Sequence, residues 1–133
     1  MGYYSTLRWV IMDDVILDDE KCKELEKFFE DNSNENIYGF WNVKIARDEK
    51  GKFQGIETAY MDEAKFYDDE LFVEKFSKCI KKGELLIYFI GEDSFIWGYL
   101  LKPGKYEDLL VYFVPLSEKQ KMEENVKSYE LII

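Results

Sequence analysis

Carboxylates are the residues of this chain with the most capacity for chemistry. Asp13, Asp14, Asp18, Asp19 and Glu20 put five of them within eight residues. Asp62, Glu63, Asp68, Asp69 and Glu70 form a second cluster. Oxygen ligands at that density could hold Mg²⁺ or Ca²⁺. No EF-hand spacing is present, however. A strand end followed by a capped helix accounts for each residue, because acidic side chains suit the positive end of a helix. No metal site is assigned. Glu92 and Asp93 sit in the turn cluster Gly91-Glu92-Asp93-Ser94. Side chains at a hairpin tip can be positioned for acid/base work. Adjacent tip residues seldom converge on one substrate atom, and ordinary turn chemistry explains this pair. No catalytic residue is assigned.

Histidine is absent. That removes histidine-based acid/base catalysis, Ser-His and Cys-His nucleophile activation, and the commonest transition-metal ligand. Cys22 and Cys79 are the only cysteines. Both fall on apolar faces of expected helices, which suits buried, reduced thiols. A disulfide could join them if the two helices are neighbours, and spacing leaves that open. No phosphate loop, dinucleotide-binding glycine fingerprint, nucleophile elbow or Cys-x-x-Cys pair occurs, so no cofactor is expected.

These residues must be positioned by a chain of 133 residues, of which 47% are hydrophobic and 17% aromatic. Such a chain fits one domain with its own core. The longest apolar run, Leu85–Ile90, has strand length and falls far short of a membrane span. The opening Met1-Gly2-Tyr3-Tyr4 has neither the basic nor the apolar region of a signal peptide, so a cytoplasmic location is expected. The net charge is −10. The acidic excess lies in residues 1–40, with 10 acidic and 4 basic side chains, and in residues 84–133, with 9 and 5. Phosphate-backbone binding wants a basic face, so direct nucleic-acid binding is not expected. Lys78, Lys81 and Lys82 are the one basic cluster, and they suit a helix C-terminus. Abundant Lys (16) and Glu (17) beside two Gln point to a thermophilic or AT-rich source.

The clearest local signal is a hairpin. Glu84–Ile90 and Phe95–Leu101 are apolar, β-branched and aromatic runs around the 91–94 turn. Tyr3–Met12 reads as a strand ended by Asp13-Asp14. Asp18 then caps a helix running to about Asp31, with Leu17 able to staple onto Cys22 and Cys22, Leu25, Phe28 and Phe29 as its apolar stripe. Ile37–Arg47 and Phe53–Met61 read as paired strands. Between them, Asp48-Glu49-Lys50-Gly51 suits a type I turn closed by a left-handed glycine. Asp68-Asp69-Glu70 opens a second helix with the stripe Phe72, Val73, Phe76, Cys79 and Ile80, closed by Lys81-Lys82-Gly83. Pro103-Gly104 makes a turn before a last strand, Asp108–Pro115. A short third helix follows from Ser117, then the apolar tail Tyr129–Ile133.

The expected fold is α+β: an antiparallel sheet of about five to six strands with two helices on one face, in the order βαββαβββ(α). The first six elements match the ferredoxin-like order, and a meander with inserted helices is the alternative. Alternation places Trp97 and Tyr99 on one face of their strand and Gly98 on the other. If Gly98 marks the approach of a helix, Trp97 and Tyr99 lie on the open face, as an aromatic binding platform.

Met1-Gly2-Tyr3-Tyr4, the helix entry Asp68-Asp69-Glu70-Leu71-Phe72, the turn Asp48-Glu49-Lys50-Gly51 and Gly91-Glu92-Asp93-x-x-x-Trp97 together resemble a loose group of small, uncharacterised α+β proteins of prokaryotes, phages and mobile elements. In that group, more aromatic and basic residues follow the tryptophan, whereas Gly98-Tyr99-Leu100-Leu101 follow here. The resemblance implies a cytoplasmic accessory protein and brings no catalytic residue with it.

Three functions follow as expectations. The leading one is a non-enzymatic protein that binds a basic protein partner, through its acidic surface (Asp18, Asp19 and Glu20 of helix one, with Glu92 and Asp93) or through its uncovered sheet face (Trp97, Tyr99). An inhibitor mimicking nucleic-acid charge is one form of it. The second is a small-molecule binder or carboxylate-dependent enzyme using the aromatic sheet face. The third is a homo-oligomeric subunit joined through the Leu131-Ile132-Ile133 tail or an exposed strand edge.

Overall fold

The computed structural model describes residues 5–32, 44–57, 63–64 and 69–111, together with Pro115 and Ser117. The elements are β1 (Ser5–Leu17), α1 (Asp19–Asn32), β2 (Lys44–Arg47), β3 (Phe53–Glu57), β4 (Glu63–Ala64), α2 (Asp69–Ser77), β5 (Ile80–Gly91), β6 (Ile96–Lys102) and β7 (Lys105–Leu109). The fold is α+β. All strand pairs are antiparallel, in a five-stranded sheet ordered β4-β1-β5-β6-β7 and a separate β2–β3 hairpin.

Part of a ferredoxin-like arrangement is present, because β1 and the strand after the second helix are antiparallel neighbours. The rest is not. The β2–β3 pair forms its own sheet, and on its other side β1 pairs with the two-residue β4. The hairpin instead packs across the sheet: Phe53 meets Trp9 edge to face, with centroids 6.2 Å apart. One apolar cluster fills the space between the sheet, the two helices and this hairpin, built from Leu7, Leu85, Ile87, Phe89 and Leu101 below and Leu25, Phe29, Phe53, Phe72 and Phe76 above. Phe72 touches both Phe29 and Phe76, which ties the two helices together.

Local chemistry sets the helix entry. Asp18 Oδ1 accepts from the Lys21 backbone N–H at 3.1 Å, an N-cap bond. Leu17 and Cys22 on either side of the cap are both buried. In the β2–β3 turn, Asp48 Oδ1 accepts from the Lys50 and Lys52 backbone N–H groups, each at 2.9 Å. Gly51 follows at φ +82°, the left-handed conformation the turn requires. The Gly51 carbonyl then accepts from the Leu17 N–H at 2.8 Å, so this turn also fixes the end of β1.

The last strand is Lys105–Leu109 and not Asp108–Pro115, because it pairs with β6 directly from the Pro103-Gly104 turn. Two further boundaries differ from those the sequence predicts, for one reason. β1 does not end at Asp13-Asp14 but continues to Leu17, and α2 ends at Ser77, so that Ile80–Gly83 belong to β5. The two extensions pair with each other: Ile16 opposes Lys82 and Leu17 opposes Ile80, across register shifts that start after Ile11. Bulges of this kind bend a strand without ending it. The bend lets Val15 and Leu17 enter the core. Gly83 therefore lies inside a strand and does not cap a helix. At φ +100° it passes so close to the bulge that a Cβ would sit 2.1 Å from the Asp14 carbonyl oxygen. Lys81 and Lys82 are exposed strand residues.

The expected third helix beyond Ser117, the apolar tail and the outer parts of the 37–47 and 53–61 strands lie outside the described residues. Among the described residues, no helix is long and apolar enough to cross a membrane.

Candidate interaction site at the end of the β5–β6 hairpin

The β5–β6 turn is built by its own side chains. Ser94 N–H donates to the Gly91 carbonyl at 2.9 Å, and Gly91 N–H donates to the Phe95 carbonyl at 2.8 Å. Asp93 Oδ1 accepts from the Phe95 N–H at 3.1 Å. Ser94 adopts φ 69°, which an L-residue takes at some cost. Glu92 and Asp93 are both exposed here. Asp93 is thus a turn-forming residue.

Cross-strand register decides which face each aromatic occupies. Phe89 opposes Trp97, Ile87 opposes Tyr99, and Tyr88 opposes Gly98. Phe89 and Ile87 belong to the core beneath the helices, so Trp97 and Tyr99 lie on the helix-covered face. The expectation that they line the open face is corrected. Gly98 does mark a close approach, but from within the sheet: a Cβ there would stand 3.1 Å from Tyr88 Cβ.

Both polar tips on this face meet one acceptor. Trp97 Nε1 donates to Asp69 Oδ2 at 2.7 Å, and Tyr99 Oη donates to the same oxygen at 2.5 Å. Asp69 opens α2, so its carboxylate fastens the helix N-terminus to β6. Next to it, Tyr106 Oη on β7 donates to Glu70 Oε1 at 2.8 Å. Burial and the Asp69 carboxylate push the Tyr99 phenol well above its ordinary range. The Glu70 carboxylate lifts Tyr106 to about 12. Asp69 was legible only as a residue favoured by the helix dipole. Its second role had a signal: a Trp and a Tyr two residues apart on one strand face need an acceptor when buried.

The rings form a stack that runs outward. Trp97 lies on Phe89 at 5.4 Å and 17°, and Phe95 lies on Trp97 at 5.9 Å and 25°. The sequence of exposure is steep: Phe89 is 0% exposed and Phe95 is 62% exposed. Phe95 is therefore a solvent-facing aromatic held on a half-buried, hydrogen-bonded tryptophan, next to the exposed carboxylates of the turn.

The helix-one carboxylates are arranged differently. Asp18 is the cap. Asp19 bonds Arg47 Nε at 2.8 Å and Lys23 Nζ at 3.0 Å, and these two cations hold its carboxyl below the usual carboxylate range. Arg47 also reaches Glu26 Oε1 at 3.3 Å and donates to the Ile45 carbonyl at 2.7 Å. Glu26 Oε2 accepts from the Ile45 N–H at 3.0 Å. Asp19 and Glu26 thus dock the β2–β3 hairpin onto α1. Glu20 is exposed on the first turn. Asp18, Asp19 and Glu20 lie on α1, and the Trp97, Tyr99, Glu92 and Asp93 group lies at the β5–β6 end. Among the described residues, no three Cys, Asp or Glu side chains are grouped to hold a metal ion.

No family model matches this chain, and neither curated proteins nor solved structures include a match to it.

Proposed function

We propose that this is a non-enzymatic interaction protein that binds a basic protein partner through the end of the β5–β6 hairpin. The observation that carries the reading is Phe95, an exposed ring braced on Trp97 and Phe89 beside Glu92 and Asp93. A rigid aromatic next to carboxylates suits an arginine or lysine side chain, which can stack on the ring while its charge meets the acids. Interface energy concentrates on such anchors. The net charge of −10 would draw a basic partner in and make association sensitive to salt. The resemblance noted from the sequence adds a context, that of a cytoplasmic accessory or inhibitory protein of a phage or mobile element.

The test compares the wild type with Phe95→Ala and with the double variant Glu92→Gln/Asp93→Asn, each used to capture proteins from lysate at low and high salt. A basic protein retained by the wild type, released by salt and lost with either variant supports the proposal. Basic proteins retained equally by all three would sink the hairpin site. If retention is then lost on neutralising Glu20 and Glu24, the contact belongs to α1.

A further inference from the structure

Cys22 and Cys79 are separated by 56 residues of sequence and brought together by one residue between them. The Asp18 N–H donates to the Cys79 carbonyl at 2.7 Å, and the Asp18 carbonyl accepts from the Cys22 N–H at 3.0 Å. This is a consequence of register. Leu17 opposes Ile80 across the sheet, so Asp18 faces Cys79, and Cys22 follows Asp18 by one helical turn. The side chains complete the arrangement. The two thiols lie close enough to perturb each other electrostatically, and Cys79 Sγ also donates to the Lys75 carbonyl at 3.6 Å. Both are free thiols, with relative exposures of 0% and 2%.

We propose that Cys22 and Cys79 are a modification site, an intramolecular dithiol that hydrogen peroxide converts reversibly to a disulfide pinning the first turn of α1 to the α2–β5 junction. In the first step, the Cys22 thiolate attacks one peroxide oxygen. The O–O bond breaks, water leaves after proton uptake, and Cys22 becomes a sulfenic acid. In the second step, the Cys79 sulfur attacks the Cys22 sulfur, the S–O bond breaks, and a second water leaves as the S–S bond forms. Two thiols lose two hydrogens and two electrons in all, and the peroxide takes them up.

Cys22 is the nucleophile of the pair. Its contact with Cys79, together with the field of the Arg47 guanidinium, holds it below the ordinary thiol range. The same contact, burial and the Asp18 carboxylate push Cys79 up. Burial has two consequences. Oxidation waits on an opening of the α1 first turn and is slow. A thiol from another molecule is excluded, so the product is internal.

The test treats the full, reduced chain with hydrogen peroxide under native conditions and follows free thiols and intact mass. The expected result is loss of both thiols together, a mass lower by two hydrogens, a cross-linked peptide pair containing Cys22 and Cys79, a monomer-sized band without reductant, and a raised melting temperature. Dithiothreitol reverses all of these. Cys79→Ser is expected to stop at a sulfenic acid on Cys22 that a dimedone probe traps. If that variant does not fold, the wild-type mass measurement decides alone. Thiols that survive peroxide, oxygen added to one cysteine without cross-linking, or a disulfide between chains would each overturn the proposal.

Discussion

Arg47 Nε stands 2.8 Å from Asp19 Oδ1, so one charge-assisted bond joins the β2–β3 hairpin to the first turn of α1. The same guanidinium reaches Glu26, and its side chain is only 13% exposed. Losing it removes the cation from Glu26 Oε1 and the side-chain donor from the Ile45 carbonyl, while Glu26 Oε2 keeps the Ile45 N–H. Arg47→Met is expected to lower stability by about 2 kcal/mol, the scale for hydrogen bonds to charged groups. Asp19→Asn, at an exposed position, is expected to be near neutral. Denaturant melts of the two variants check the contrast, and equal losses would refute it.

Removing the shared acceptor on α2 is expected to cost more than removing either donor. Asp69→Ala leaves the Trp97 N–H and the Tyr99 O–H facing a site without a partner. The expected loss is about 1–3 kcal/mol, the cost of leaving a buried polar group unsatisfied. Tyr99→Phe removes one donor cleanly and is expected to cost about 1 kcal/mol. Denaturant unfolding followed by circular dichroism reads both variants.

Raised phenol pKa values carry a stability sign. Tyr106 in the folded chain titrates at about 12 against an ordinary 10, so folding favours its neutral form. Its contribution is full below pH 10 and is lost as the pH rises to about 12. Tyr99 shifts in the same direction, through burial and Asp69. Phenolate absorbance of the native chain is expected to show late-titrating components. Tyr106→Phe and Tyr99→Phe each remove one of them. Ordinary titration of both residues would contradict the two hydrogen bonds.

Backbone conformation predicts opposite outcomes at a bulged strand position and at a turn. Gly83→Ala forces a Cβ against the Asp14 carbonyl at φ +100°, and a loss of about 3 kcal/mol or more is expected. Ser94→Gly relieves a left-handed serine at φ 69°, and a gain of up to about 1 kcal/mol is expected. Thermal melts of the two single variants decide both signs.

What was legible in the sequence was local. The Asp18 cap, the Asp48–Gly51 turn, the Gly91–Ser94 turn and the Pro103-Gly104 turn each depend on a few adjacent residues, and each stands where its chemistry predicts. The end of α2 was not legible, because Cys79 and Ile80 continue a helical stripe equally well. What stops the helix is pairing with Leu17, more than sixty residues away. The face occupied by Trp97 and Tyr99 had the same weakness. Alternation separates them from Gly98 but does not say which face the helices cover, and the Phe89–Trp97 register decides it. The carboxylates of α1 could be found by composition. That Asp19 and Glu26 are engaged by Arg47 could not, since a salt bridge between distant segments leaves no spacing to read.

The long β1–β5 ladder also governs how the chain reaches this structure. Ser5 pairs with Gly91 and Leu17 with Ile80, so the two central strands join segments at opposite ends of most of the described chain. The β5–β6 hairpin closes over only four residues and can form within microseconds. β1 must wait for it. During synthesis the first strand emerges long before β5, and the long ladder between them forms only after β5 has been made. Such non-local pairing slows folding toward milliseconds or longer. The rate-limiting event is then the docking of an early strand onto a late hairpin, and residues such as Leu7 and Trp9 would govern the speed of folding as well as the stability of the product.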